Sequence, residues 1–411
     1  MPVVRTFRSL SLHCALIAAS LLSWQCAPAR VPAPLPKSPA LSIQREAKRS
    51  HIALAALTGG RCQGALALEW TFRAASPFSG APALSAAGDL VLLRTYEGYV
   101  HALSTSGKFL WSYTTEGSLD VPPVVTVDGS NWLDSTGNLY RISARGGTMR
   151  HEAQPLRRVE GMAPAWPLAV AQRGRHLFGL TKELKQSWTE VYPSPFVSEM
   201  VPFQGRYAQG VLANGTLVTV QSPGRQWQLS LTNAKSVQRA SVVSSGNGSL
   251  AVLQLEPEPL SSDEDQVPLY EAVFVSAQKV KWRVASGKAA ALGESSVVMI
   301  EDDQVRWLDR NDGTQQTRVE VEGLSDTPPL LLPDESAIVA ILADKAVVIH
   351  RDHGLIGSCR LEPGRAYAPL LFDDGLTSRV VVATGGGHAV AFLVSLDLEG
   401  APAASPERST P

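Results

Sequence analysis

A unit of about forty residues recurs along this chain, and that period limits the folds open to it more than any other feature. The clearest copy reads Gly98-Tyr99-Val100-His101-Ala102-Leu103, followed by Gly107 and Trp111. Gly137-Asn138-Leu139-Tyr140-Arg141-Ile142 with Gly146 repeats it 39 residues further on, Arg150 standing in for the tryptophan. A third copy passes through Leu177, Gly179 and Leu180 to Trp188, and a fourth runs from Gly215 through Leu217 and Val220 to Gly224 and Trp227. Weaker copies follow at Ala272 to Trp282, Val305 to Thr317 and Asp344 to Ser358, before Gly387-His388-Ala389-Val390-Ala391-Phe392 restores the opening motif. Prolines keep the same beat: Pro82, Pro123 and Pro164 lie 41 residues apart, and Pro329 and Pro369 lie 40 apart.

Within a unit the apolar residues alternate as in half-buried strands, and Gly-rich turns such as Ala87-Gly88-Asp89 separate the short runs. The 33 Gly and 28 Pro are spread along the chain, which favours many turns and an all-β protein. Repeated four-stranded units of this length close radially, each sheet packing face to face on the next, so that few edges stay exposed. The open alternative is a solenoid. The ends of the repeat favour closure: the hairpin at Gly387 has no tryptophan strand after it, and Trp70 has no hairpin before it. Trp70 therefore completes the last unit. The expectation is an eight-bladed β-propeller of four-stranded antiparallel blades over residues 61–397, with seven blades as the alternative.

The pattern Gly-x-Val-x-Ala-Leu, four residues, Gly, three residues, Trp resembles the PQQ-like repeat. Two branches of that family matter: quinoprotein dehydrogenases with the quinone on the propeller axis, and BamB-type outer-membrane assembly lipoproteins. The repeat encodes blade packing, so it speaks to fold more than to function. Its glycines (Gly98, Gly137, Gly215, Gly387) read as turn formers, and its tryptophans (Trp70, Trp111, Trp188, Trp227, Trp282) as wedges between blades.

The resemblance to quinoprotein dehydrogenases would imply a disulfide between adjacent cysteines beside the quinone. None of the four cysteines here is adjacent to another. No catalytic residue, cofactor or metal is therefore expected. Five acidic residues in the insertion Glu256 to Asp265 lack an EF-hand's spacing and turn glycine, and read as a solvated loop. His350 and His353 flank a turn without a third ligand, and read as surface residues. Cys62 and Cys359 could pair in an oxidising compartment, Cys62 at the start of the closing strand and Cys359 near the outer strand of the penultimate blade, or remain as separate thiols.

Before the repeat, residues 1–26 carry Arg5 and Arg8, an uncharged apolar stretch from Leu10 to Trp24, and Cys26, as a secretory signal does. Leu22-Ser23-Trp24-Gln25 before Cys26 resembles a relaxed lipobox, with Cys26 as the lipidation site; cleavage after Ala27-Pro28-Ala29 is the alternative and would release a soluble protein. Residues 27–60 form an Ala/Pro-rich linker, and 398–411 a disordered tail.

Lysine and arginine number 37 against 38 aspartate and glutamate, so no global field favours nucleic acid or an anionic membrane. The expected function is that of a non-catalytic cell-envelope scaffold. Its partners would be envelope proteins, the β-barrel assembly machinery among them, with membrane contact only through the lipid anchor. It would face the periplasm from the outer membrane, or be soluble in the periplasm or secreted. The alternative is a ligand-binding or quinone-dependent propeller with an occupied central funnel.

Overall fold

A computed structural model describes residues 62–396, apart from 153–155, 157, 166–167, 184, 223–224, 233–235, 257–268, 302 and 374–377. The segments expected to be a signal with Cys26, a linker and a tail, and most of the acidic insertion, lie outside the described residues. Everything described belongs to the unit Ala47–Pro411.

Eight antiparallel sheets form a ring. In the first blade the strands are Ala83–Leu84, Leu90–Arg94, Tyr99–Ser104 and Phe109–Thr114, here lettered A to D. The same simple order serves the second to sixth blades, which end with strand D at Thr148–Glu152, Gln186–Val191, Arg225–Ser230, Lys279–Ala285 and Gln315–Glu320. A strands of most successive blades pack side by side and so line the axis.

The N-terminal strands close the ring twice. Leu66–Arg73 pairs antiparallel with His388–Val394, Thr71 opposite Val390, and supplies strand D of the eighth blade, as expected for Trp70. Immediately before it, Cys62–Gly64 adds a fifth strand to the seventh blade, beside Gly354–Arg360. Cys62 thus sits on a short strand of its own, one blade back from the closing strand.

Hydrophobic packing follows from two-sided burial. Leu90, Leu92 and Val100 join Trp132, Tyr140 and Ile142 of the second blade. Their alternating neighbours Val91 and Leu93 join Trp70, Phe72 and Val381 of the eighth. Six further clusters fill the remaining gaps between neighbouring blades. The B and C strands are therefore buried on both faces, and Leu90–Arg94 is buried along its whole length. This differs from the half-buried strands expected from alternation, because a sheet between two others has no wet face.

Three tryptophans lock blade to blade in one way. Trp70, Trp111 and Trp282 on D strands donate their indole N–H to the carbonyls of Thr105, Ala144 and Arg310, at 2.9, 2.8 and 2.8 Å, in the C–D turn of the following blade. Their rings cover Gly107, Gly146 and Gly313 in those turns. Each junction combines a large ring, buried at Trp70 and Trp282 and half-buried at Trp111, with a satisfied donor.

Candidate functional site

Antiparallel order places the B–C turns and the D–A connections at one end of the ring, around a funnel of about 490 Å³ on the axis. Its wall carries Arg94, Arg239, Lys288 and Arg365 against Asp120, Glu199 and Asp326, with Tyr96, Tyr270 and Tyr367 between them. Short bridges tie several D–A connections to the B strands behind them: Phe78 to Thr95, Phe196 to Leu212, Leu324 to Leu342, Ala366 to Thr384. The funnel groups are thus carried on a braced frame rather than on free loops.

Arg94 sits at the neck. It ends the apolar run Leu90–Leu93 and is only 6% exposed, and its Nε and Nη1 find no acceptor among the described residues. Burial pushes its pKa down to about 10, with Glu199 and Asp120 opposing the shift, so the guanidinium stays charged at neutral pH. Room for it comes from Gly80, where any Cβ would overlap the guanidinium.

Beside it, the turn Thr95–Gly98 is closed by the Gly98 N–H donating to the Thr95 carbonyl at 3.1 Å, with Gly98 at φ +81°, a conformation that glycine adopts without strain. The Tyr96 N–H donates to the Pro77 carbonyl at 3.1 Å, which fixes the turn against the neighbouring connection. Its side chain is 52% exposed at the rim. Tyr367 donates its hydroxyl to the Phe78 carbonyl at 2.8 Å, and burial together with the neighbouring Tyr96 raises its pKa to about 12. The Tyr367 phenol is therefore a neutral donor at physiological pH. An exposed tyrosine, a desolvated arginine whose Nε and Nη1 lack acceptors among the described residues, and mixed charges on rigid supports make a surface suited to binding a polar partner.

The residues singled out from sequence fall elsewhere. Cys62 and Cys359 lie directly opposite in register, with Cα atoms 4.0 Å apart, and are joined as a disulfide. Gly98, Gly137, Gly215 and Gly387 all have positive φ in B–C turns. Trp188 and Trp227 are not seated as the other three are: Trp188 lies over Gly179 of its own blade, and Trp227 meets Tyr207 of its own blade edge-on at 4.9 Å. His350 is a correction to the surface reading. It is buried, its ring is 4.7 Å from that of exposed His353, and its Nδ1 accepts the Asp352 N–H. The turn folds back far enough to bring the two rings together. They belong to no metal-sized group of three or more ligands among the described residues.

Arg94 and Tyr96 were overlooked in the sequence, although a signal was there. Four residues before each repeat glycine the chain has Leu133, Val211 and Ala383, all buried, whereas Arg94 fills the same register before Gly98. A charge in a register otherwise apolar marks the odd blade.

No protein-family model matches the chain, and no curated protein does. Solved structures do. BamB from Moraxella catarrhalis superposes with a TM-score of 0.62 at 13% identity, covering 80% of this chain and 99% of that one. The Pan2 WD40 domain from Neurospora crassa gives a TM-score of 0.50 at 10% identity, covering 80% of this chain and 95% of that one. At such identities the likeness is one of fold.

Proposed function

We propose that the chain is a non-catalytic protein-interaction propeller of the cell envelope, exported and held at the outer membrane by a lipid on Cys26, and that it takes part in outer-membrane protein assembly. The observation that carries the reading is the funnel mouth, where Tyr96 is exposed beside the desolvated Arg94, whose Nε and Nη1 have no acceptor among the described residues. Tyrosine and arginine anchor protein interfaces, and a partner carboxylate entering the funnel would satisfy the guanidinium. The likeness in fold to BamB and the signal-like segment ahead of the repeat support the envelope setting.

Crosslinking from a photoreactive residue at position 96 in intact envelopes, followed by mass spectrometry, tests this. The expected product is a defined partner whose recovery falls at least about tenfold with Arg94→Leu or Arg365→Glu. Recovery of no partner, or dye-linked alcohol oxidation on adding PQQ with calcium, would overturn the reading.

A further inference from the structure

A second cavity, of about 630 Å³, opens between the fourth and fifth blades at the opposite end of the sheets, where the A–B and C–D turns lie. It arises from an irregularity in the repeat. The tryptophans that lock neighbouring blades rest on glycine-bearing C–D turns, such as the one spanning Thr105 to Lys108. Facing Trp227, the fifth blade instead has the two-residue hairpin Ala277–Gln278, both residues at positive φ, +50° and +59°. That tight turn carries no glycine seat. Trp227 stays half-buried on the cleft wall, edge-on to Tyr207, and its indole N–H has no partner among the described residues.

We propose that this cleft binds a neutral saccharide of one or two rings. None of its twelve lining residues is charged, which removes the groups that would select phosphate, carboxylate or amine ligands. The aromatic rings of Phe203, Tyr207 and Trp227 offer flat apolar surface of the kind that takes the C–H face of a sugar ring. Around them stand the carboxamides of Gln204, Asn247 and Gln278, exposed at the rim, and of Gln209, 2% exposed at the floor. Gln209 is held in place: its Nε2 donates to Thr219 Oγ1 at 2.9 Å, and Ser249 Oγ donates to its Oε1 at 2.5 Å. One N–H and one lone pair of that amide remain for a ligand. An amide offers a donor and an acceptor side by side, which matches vicinal hydroxyls, and the cavity volume lies in the range of small-molecule sites. A purely hydrocarbon ligand would leave the buried Gln209 amide without partners for its free N–H and lone pair. The site is separate from the funnel and does not depend on the function proposed for it.

Saturation-transfer NMR and calorimetry on the full propeller, with maltose, cellobiose and diacetylchitobiose as probes, test the proposal. At least one probe is expected to bind with Kd of about 0.1–10 mM. Trp227→Ala and the exposed variant Gln278→Ala should each weaken binding, the former at least about tenfold, while Tyr96→Ala leaves it unchanged. Because Gln278 lies on an exposed turn, its variant keeps the test valid should Trp227→Ala fold poorly. Absence of binding by every probe at roughly 20 mM, or binding indifferent to both cleft variants, would overturn it. So would competition for the cleft by a neutral peptide with no sugar bound.

Discussion

The indole of Trp70 covers Gly107 of the first blade so closely that a Cβ at position 107 would fall on the ring, and its N–H donates to the Thr105 carbonyl at 2.9 Å. This contact joins the strand that closes the ring to the blade beside it. Gly107→Ala should lower unfolding stability by about 2–4 kcal/mol, from overpacking added to a left-handed backbone at φ +78°. Gly88→Ala is the control. Gly88 has nearly the same φ, +75°, but nothing lies near its missing Cβ, so it should cost only about 1 kcal/mol. Equal losses in urea unfolding would refute a steric role for Trp70.

Linking Cys62 to Cys359 closes a loop with a sequence separation of 297, which greatly restricts the unfolded chain. Reduction should destabilise the propeller by up to about 5 kcal/mol, and Cys62→Ser should reproduce the effect. Denaturation midpoints with and without a non-thiol reductant would decide the matter. Coincident midpoints would mean that the bridge adds nothing to stability.

His101 is buried among Phe72, Tyr99 and Phe109, with ring centroids 5.6, 5.9 and 6.4 Å away, and neither ring nitrogen finds a partner among the described residues. Burial pulls its pKa down from 6.5 to about 4. Between those values the unfolded chain binds a proton that the folded chain does not, so stability falls as the pH drops through this window. The loss reaches about 3 kcal/mol near pH 4. His101→Phe, matching the aromatic Tyr140 at the same repeat position, should remove this contribution and flatten the pH profile. A profile identical to the parent's would assign the acid sensitivity to other groups.

Arg94→Leu restores the apolar character of Leu133, Val211 and Ala383 at the same register. Since the guanidinium is desolvated without acceptors for Nε and Nη1, its removal should leave the ring folded and raise stability by about 1–2 kcal/mol, while partner recovery falls. A clear loss of stability in thermal unfolding would show that Arg94 serves the fold instead.

The architecture was largely legible because each blade repeats one demand. Glycines at 98, 137, 215 and 387 must take positive φ in the B–C turn, and the unmatched Trp70 and Gly387 hairpin require each other. What escaped lay in departures from the repeat. Trp227 reads like Trp111 in the motif, yet its seat depends on the length of a turn some fifty residues away at Ala277–Gln278. Continuous runs such as Leu90–Leu93 hide which neighbour each side chain faces, since both faces are apolar. The funnel gathers side chains from around the whole ring, and no local spacing brings Arg94, Glu199 and Arg365 together.

Both strands that complete the seventh and eighth blades come from residues ahead of the first blade. Synthesis runs from the N-terminus, so the first of the described strands to emerge are the last that can dock. Until the hairpin ending at Val394 is made, Leu66–Arg73 has no sheet to join, and the incomplete ring presents unpaired strand edges to its surroundings. Truncation from the C-terminus would therefore release the N-terminal strand as well, so that damage at one end of the chain is felt at the other.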